Sequence, residues 1–205
     1  MLGYYNYSVI LTYIGLVSSV MGMTFAVSGR YKLAIFCLAF SGLCDMFDGK
    51  IARAMKNRTE DEKRFGIQID SLCDMVCFGA FPVVLCYSSG MRSVSGRLIL
   101  AFYCLASVIR LGYFNVMEEK RQNETEEARV YYEGLPITTI AIVLPIACLL
   151  QPYFGLAFGL IIQLIMFVMA FLMIFRFKLK KPGNRVLALL VVCVGLAVLR
   201  ILHII

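Results

Sequence analysis

Long apolar stretches, separated by short polar or glycine-containing segments, make up most of the chain. A bilayer core about 30 Å thick requires roughly 20 apolar helical residues to cross it. The segments that qualify, or nearly do, are residues 7–27, 31–55, 66–88, 98–117, 135–151, 153–175 and 186–205. The pattern predicts an all-α fold, a polytopic membrane bundle of about seven transmembrane helices. Prolines at 136, 145 and 152 could cut the stretch after Leu135 into shorter pieces, so six and eight crossings are the alternatives.

The composition excludes an ordinary soluble domain. Hydrophobic residues make up 60% of the 205 residues and charged residues 16%, and the mean hydropathy is +0.81. So few charges cannot supply the polar surface that a soluble domain of this size needs. The eight cysteines lie in apolar runs without a C-x-x-C pair, which is typical of small buried hydrophobic residues. We therefore expect residues 1–205 to form a single integral-membrane domain.

The basic residues are distributed unevenly between the predicted loops. If the N-terminus is cytoplasmic, the cytoplasmic loops hold 14 Lys and Arg residues and the opposite loops hold four, namely Arg30, Lys32, Arg92 and Arg97. This asymmetry predicts a multi-pass protein of the cell membrane, with the loop between the second and third spans in the cytoplasm. The net charge of +7 then requires no nucleic acid, because the expected partner is the lipid bilayer with its anionic headgroups.

Four of the five aspartates form two pairs that flank this cytoplasmic loop. Asp45 and Asp48 are three positions apart and Asp70 and Asp74 are four apart, so each pair shares one helix face. At 1.5 Å per residue, both pairs fall slightly inside the membrane boundary, where an ionised aspartate costs about 2.5–3.5 kcal/mol. Divalent cations would compensate this cost, since Mg²⁺, Mn²⁺ and Ca²⁺ prefer oxygen ligands. The alternative is that the pairs are solvated helix ends.

The residues beside the aspartates suit a diphosphate. Gly49, Ala52 and Arg53 continue the stripe of the first pair, where two small residues leave room and the arginine offers a fork for phosphate. Gly66 precedes the second pair near the expected start of the third span, where a helix N-terminus favours an anion. The alternative for the small residues is close packing between helices.

Together these residues resemble the signature of the CDP-alcohol phosphotransferase family. The pattern is D-x-x-D-G-x-x-A-R followed by G-x-x-x-D-x-x-x-D, and all eight fixed positions are present. The 12 residues between the two halves, residues 54–65, exceed the family's commonest spacing. Residues 65–82, Arg110-Leu-Gly-Tyr-Phe-Asn115 and Gly134-Leu-Pro136 also resemble markers of the phosphatidylserine synthase branch. The likeness therefore extends from about Cys44 to Pro136.

This resemblance implies that CDP-diacylglycerol and L-serine react to give phosphatidylserine and CMP. It implies two divalent ions, Mg²⁺ or Mn²⁺, and Asp74 as the catalytic base as well as a metal ligand. The implied metal ligands are Asp45, Asp48, Asp70 and Asp74. The implied CDP-diacylglycerol-binding residues are Asp48, Gly49, Ala52, Arg53 and Gly66. The resemblance also implies a homodimer.

The residues that bind serine are inferred from its charges. Its carboxylate requires a cation, and Arg110 is the one arginine well inside a middle span, where arginines commonly mark functional sites. Arg110 could instead pair with an aspartate of the cluster. Asn115 is a further candidate for serine binding, and Glu133 is a candidate for the ammonium group unless it only precedes a helix start.

Two other functions compete with this interpretation. A family member that uses glycerol 3-phosphate or an inositol phosphate would need additional cations, whereas the sequence offers only Arg110 and loop residues. A divalent-cation transporter would use the aspartates as a selectivity ring. Its path would need further polar groups, but residues 75–87 offer little besides cysteine. The sequence therefore favours an enzyme, with a blind cytoplasm-facing cavity between the second and third spans.

Overall fold

The protein is almost entirely helical in the residues that the structure describes. The structure is a computed structural model that describes residue 3 and residues 7–54, 59–124, 131–180 and 183–203. In chain order, its elements are α1 (Tyr7–Val27), α2 (Tyr31–Ala54), α3 (Glu60–Asp74), a π-helical segment (Met75–Ala80), α4 (Phe81–Ser88), α5 (Val94–Glu124), β1 (Tyr131–Glu133), a 3₁₀ turn (Ile137–Thr139), α6 (Ile140–Leu149), α7 (Gln151–Phe154), a second 3₁₀ turn (Gly155–Ala157), α8 (Phe158–Ile174), β2 (Lys178–Lys180) and α9 (Asn184–His203).

Four helices in the described part of the chain are long and apolar enough to cross a membrane. They are Val9–Val27, Glu60–Ser88, Val94–Arg121 and Arg185–Leu202. The 24 residues of α2 would extend about 36 Å, but α2 is not among those four, because its charged residues (Lys32, Asp45, Asp48, Lys50 and Arg53) leave no long stretch with fewer than three charges. These helices confirm the predicted membrane-type helical fold, and α1 has the predicted bounds.

The helices between residues 135 and 175 are shorter than the spans predicted there. The 10 residues of α6 follow a 3₁₀ turn of three residues, so this helical stretch reaches only about 20 Å. Pro145 lies inside α6 without ending it. Gly155 separates α7 from α8 with φ of +48°, a conformation that L side chains rarely adopt. The count of seven crossings therefore stays a prediction.

Small residues bring α1 and α2 into close contact. The buried hydroxyl oxygen of Ser41 lies 2.9 Å from the carbonyl oxygen of Gly15 and 2.8 Å from the hydroxyl of Ser19. A Cβ added at Gly22 would lie 2.8 Å from the Cβ of Cys37, so a larger residue does not fit there without displacement. Such contacts let two helix backbones approach closely within a membrane. They fix α2 against α1 beside the first aspartate pair.

The third predicted span begins earlier than the sequence analysis indicated. Thr59 forms a capping box with Glu62: its side chain accepts a hydrogen bond from the Glu62 amide, and its own amide donates to the Glu62 carboxylate. The helix therefore begins at Glu60 and not near Gly66. The expectation that a helix N-terminus lies at Gly66 is wrong, because Gly66 sits inside α3.

The winding of this helix changes immediately after the second aspartate pair. Residues Met75–Ala80 form a π-helical segment, and α4 continues directly from it. Tyr103 of α5 is fully buried and donates its hydroxyl to the carbonyl oxygen of Phe78 within the segment, at 2.8 Å. π-helical turns are uncommon. The hydrogen bond from Tyr103 stabilises this one, because it binds a carbonyl oxygen within the segment.

A two-stranded antiparallel ladder joins the segment before α6 to the segment before α9. The paired residues are Tyr131 with Lys180, Tyr132 with Leu179, and Glu133 with Lys178. Gly134 follows β1 with φ of +72°, and its amide donates to the carbonyl oxygen of Phe177 at 2.8 Å. The ladder therefore fixes the start of α6 relative to the residues that lead into α9.

Candidate active site

Aspartates from both predicted pairs meet at one end of the bundle. Asp45 comes from α2, and Asp70 and Asp74 come from α3. One carboxylate oxygen from each of the three lies within 4.8 Å of the other two. All three residues are partly buried. The helix faces inferred from their three- and four-residue spacing thus lie opposite each other in the fold.

Asp48 has a different environment from the other three aspartates. It is buried, with 5% of its surface exposed, and its Oδ2 accepts a hydrogen bond from the Thr12 hydroxyl of α1 at 2.7 Å. Thr12 is itself buried. The sequence analysis did not identify Thr12, although a hydroxyl within the apolar run of α1 was a visible signal. The contact fixes the orientation of the Asp48 carboxylate.

The donor set of this cluster fits a divalent cation. Among the described residues, no lysine or arginine forms an ion pair with Asp45, Asp70 or Asp74. Three adjacent carboxylates without a basic partner repel one another, and a bound cation would remove that repulsion. Oxygen-only ligands favour hard ions such as Mg²⁺, Mn²⁺ or Ca²⁺. The cluster therefore has the chemistry of a divalent-metal site.

A cavity of about 1060 Å³ extends from the carboxylates along the bundle. Its polar end is lined by Asp45, Asp48, Gly49, Lys50 and Asp70. The rest of its wall is mainly apolar and comes from α2, α6, α9 and the segment that follows β1. The sequence predicted a cavity between the second and third spans. That prediction left out α6 and α9, which form much of the wall. A cavity of this kind suits a ligand with one charged end and a long apolar part.

The contribution of α9 follows a regular spacing that the sequence does contain. Its cavity-lining residues recur every three or four positions and include Leu187, Leu190, Val194, Val198 and Leu202. This spacing places them on one face of a helix. The pattern alone could indicate an inward face, but it could not identify α2 and α6 as the elements across the cavity.

The predicted CDP-binding residues differ in their positions relative to the cavity. Gly49 lines the cavity beside the carboxylates. Gly66 lies one helical turn before Asp70 on α3. Ala52 and Arg53 belong to the last turn of α2, and their side chains lie outside the described residues. Their part in binding stays a prediction.

Arg110 lies beside the cavity wall. It is buried on α5, with 6% of its surface exposed, and its Nε donates to the carbonyl oxygen of Leu135 at 3.2 Å. Leu135 itself lines the cavity. The guanidinium carbon also lies 5.8 Å from the ring centroid of Phe114. The marker segments that contain Arg110 and Leu135 are therefore in direct contact.

Asn115 and Glu133 have different neighbours. The Asn115 side-chain oxygen accepts a hydrogen bond from the Ser71 hydroxyl at 2.6 Å, and Ser71 immediately follows a cluster aspartate on α3. The Glu133 carboxylate accepts a hydrogen bond from the Tyr113 hydroxyl, and it lies 3.8 Å from Nε of Arg176. Asn115 is thus connected to the helix that carries Asp70 and Asp74, whereas Glu133 makes these contacts with α5 and with the segment that follows α8. Ser71 was missed by the sequence analysis.

Comparison with known proteins identifies the family to which this site belongs. The model of the CDP-alcohol phosphatidyltransferase family matches residues 5–167, which is more than half of the chain. The chain therefore belongs to the CDP-alcohol phosphatidyltransferase family, and the resemblance inferred from the aspartate signature is confirmed. Members of this family are transferases, and they generally depend on divalent metals.

Individual relatives match over the same part of the chain. A CDP-diacylglycerol–serine O-phosphatidyltransferase of Saccharomyces cerevisiae is 33% identical over 138 residues, 65% of this chain and 49% of that protein. A Helicobacter pylori protein of the same name is 28% identical over 134 residues, covering 64% and 52% of the two chains. An archaetidylserine synthase of Methanothermobacter thermautotrophicus is 30% identical over 132 residues, covering 62% and 51%. The chain spans about half the length of these relatives.

Proposed function

We propose that the protein transfers the phosphatidyl group of CDP-diacylglycerol to the hydroxyl of L-serine, which gives phosphatidylserine and CMP. The observation that carries the proposal is the cavity of about 1060 Å³ with carboxylates at one end and apolar walls beyond them. The names of the relatives support serine as the acceptor. The carboxylate end suits a metal-bound diphosphate, and the apolar walls suit the two acyl chains.

Asp45, Asp48, Asp70 and Asp74 would hold two divalent ions, Mg²⁺ or Mn²⁺. When bound, such ions neutralise the charge that develops on the diphosphate and on the CMP leaving group. Gly49 lines the cavity beside these carboxylates and leaves room for the nucleotide because it has no side chain. Ala52, Arg53 and Gly66 complete the proposed CDP-binding set.

In the proposed reaction, the serine hydroxyl oxygen attacks the β-phosphorus of CDP-diacylglycerol. Asp74 accepts the hydroxyl proton as the new phosphorus–oxygen bond forms. The bond between the β-phosphorus and the bridging oxygen breaks, and CMP leaves with the bonding electrons. The position of Asp74 within 4.8 Å of the Asp45 and Asp70 carboxylates supports this role, because the base then acts next to the activated diphosphate.

We assign the serine carboxylate to Arg110, which offers a planar fork of donors. Asn115 is the proposed second contact, and its hydrogen bond to Ser71 supports a place near the metal ligands. Glu133 is the proposed partner of the serine ammonium. A permeation path is disfavoured as an alternative, because the buried apolar residues Phe78 and Phe81 follow the aspartates along the helix.

We further propose a multi-pass protein of the cell membrane whose carboxylate end faces the cytoplasm. The excess of Lys and Arg in the loops at that end supports this orientation. The family resemblance leads us to propose a homodimer, and light scattering of the purified protein in detergent should then give the mass of two chains.

The test of the reaction is CMP release by the purified protein with CDP-diacylglycerol and Mn²⁺ or Mg²⁺. L-serine, glycerol 3-phosphate and inositol phosphate are compared as acceptors, each with and without EDTA. We expect serine-dependent release that EDTA abolishes and that added Mn²⁺ restores. Release with glycerol 3-phosphate alone would overturn the choice of acceptor, whereas release unaffected by EDTA would overturn the metal assignment.

A further inference from the structure

A second groove lies at the end of the bundle away from the carboxylates. It has a volume of about 660 Å³ and lies between the turn from α1 to α2, the helix α4 and the first part of α5. Across its rim, the Tyr31 hydroxyl donates to the carbonyl oxygen of Ser88 at 2.6 Å. Tyr31 is 14 residues before Asp45, and Ser88 is 14 residues after Asp74. About 20 Å of helix therefore separates the groove from the active site.

Two arginines give this groove a positive charge. Arg92 and Arg97 line it, and the Arg92 guanidinium lies 5.8 Å from the ring centroid of Tyr87. Within the described residues, neither guanidinium has a carboxylate partner. The sequence explains why: all 13 Asp and Glu residues lie within residues 45–74 and 118–133, and Arg30 and Lys32 add further positive charge at this end. Since no described carboxylate offsets these exposed arginines, the groove favours an anionic ligand.

The walls of the groove are mainly apolar. They include Val83, Val84, Leu100, Ala101 and Cys104. The volume falls within the range of ordinary ligand sites, about 300–1,000 Å³. A small soluble anion would satisfy the arginines but leave these walls uncovered. A lipid with an anionic headgroup satisfies both parts, because its phosphate pairs with the arginines while its glycerol and upper acyl chains cover the apolar surface.

We propose that this groove binds an anionic phospholipid of the membrane leaflet away from the carboxylates, with its phosphate held by Arg92 and Arg97. The site is separate from the proposed reaction and does not depend on it.

The first test measures lipid-dependent stability of the full chain in neutral detergent. Phosphatidylglycerol is compared with phosphatidylcholine of the same acyl chains, and unfolding is followed with a thiol-reactive dye because the sequence has eight cysteines and no tryptophan. We expect phosphatidylglycerol to raise the Tm and phosphatidylcholine to have little effect. In the double variant Arg92→Gln/Arg97→Gln, the half-saturating phosphatidylglycerol concentration should rise about tenfold or more, because two charge-assisted contacts are lost.

The matched control is Arg30→Gln/Lys32→Gln, which removes the same charge from the same end but from residues that do not line the groove. This control should keep the wild-type response to phosphatidylglycerol. An equal loss in both double variants would show a nonspecific surface effect and overturn the proposal. Equal stabilisation by phosphatidylcholine would overturn it as well.

A second measurement needs no arginine variant and therefore covers the case in which that variant does not fold. Cys104 is half-buried in the groove wall, whereas Cys193 on α9 is exposed. Phosphatidylglycerol should slow maleimide modification of Cys104 severalfold and leave the rate at Cys193 unchanged. An unchanged rate at Cys104 contradicts the proposal. Protection that depends on protein concentration and not on lipid would mean that a second copy of the chain covers the groove, which also overturns it.

Discussion

The cavities at the two ends of the bundle differ in charge, although α2 and the continuous helix of α3 and α4 contribute to both. At one end, carboxylates of α2 and α3 line a cavity of about 1060 Å³. At the other end, two arginines line a groove of about 660 Å³, and none of the acidic residues that the structure describes lies there. In the lining of the first cavity the carboxylates outnumber Lys50, whereas the charged residues that line the groove are both arginines. The sign of the lining charge decides the class of ligand: the carboxylates favour divalent cations, and the arginines favour anionic headgroups.

Among the substitutions at the two ends, neutralising a carboxylate should cause the largest fall in the rate of CMP release. Asp74→Asn keeps the size of the side chain but removes the proposed base and a metal ligand. We expect the rate of CMP release to fall by at least about 100-fold, the lower part of the range for general acid–base catalysis. The rate is measured at saturating substrates, with binding of CDP measured separately to show that the variant is folded. Full activity would exclude Asp74 as the base.

A change at Arg110 should affect one substrate more than the other. Arg110→Lys keeps the positive charge but loses the planar fork that binds a carboxylate with two hydrogen bonds. We expect the KM for serine to rise about tenfold, with the KM for CDP-diacylglycerol changed by less than about threefold. Steady-state kinetics with each substrate varied in turn provide the check. Equal effects on both KM values would assign Arg110 to support of the carboxylate cluster.

Loss of the contact between Thr12 and Asp48 should have a smaller effect at the same end. Thr12→Val removes the hydroxyl that donates to the Asp48 carboxylate but preserves the shape of the side chain. We expect the dissociation constant for Mn²⁺ to rise about threefold to tenfold, because a hydrogen bond to a charged group is lost. Binding is followed by electron paramagnetic resonance of free Mn²⁺, without turnover. Thr12→Ser should restore wild-type affinity, and failure of this rescue would indicate a packing effect.

The smallest effect on the reaction is expected from the opposite end. Arg92→Gln/Arg97→Gln should change kcat for CMP release by less than about twofold, since roughly 20 Å separates these residues from the carboxylates and exposed charges are screened over about 10 Å. The assay uses uncharged detergent without added phosphatidylglycerol. A large fall in kcat would show that the two ends are energetically coupled and that their separation is incomplete.

Features that depend on local spacing could be predicted from the sequence. The bounds of α1 follow from one uninterrupted apolar run that ends before a glycine turn, and the pairing of the aspartates follows from helical periodicity. The start of α3 also had a local signal that was overlooked. Thr59 and Glu62 form the spacing of a capping box, but the charged residues after Thr59 suggested a loop.

Features that depend on contacts between distant segments could not be predicted. The ladder between β1 and β2 has only three residues in each strand, too few for a visible alternation, and it depends on how α5 and α8 end. The inward face of α9 and the hydrogen bond between Ser71 and Asn115 likewise appear only after the helices are packed. Hydropathy gives the helices, but it does not give their neighbours.

The π-helical segment changes the orientation of α4 about the helix axis relative to α3. In a regular α-helix each residue advances about 100°, so the seven steps from Asp74 to Phe81 would return the side chain to nearly the same face. A π-helical turn contains more residues, so the same seven steps fall short of two full turns. Asp74 can thus be directed at the carboxylate cluster while Phe81 is directed at the space that Gly22 leaves on α1, where an added Cβ would lie 2.3 Å from the ring. The angular position of the chemical groups is thereby set independently of the apolar contacts that anchor the same helix.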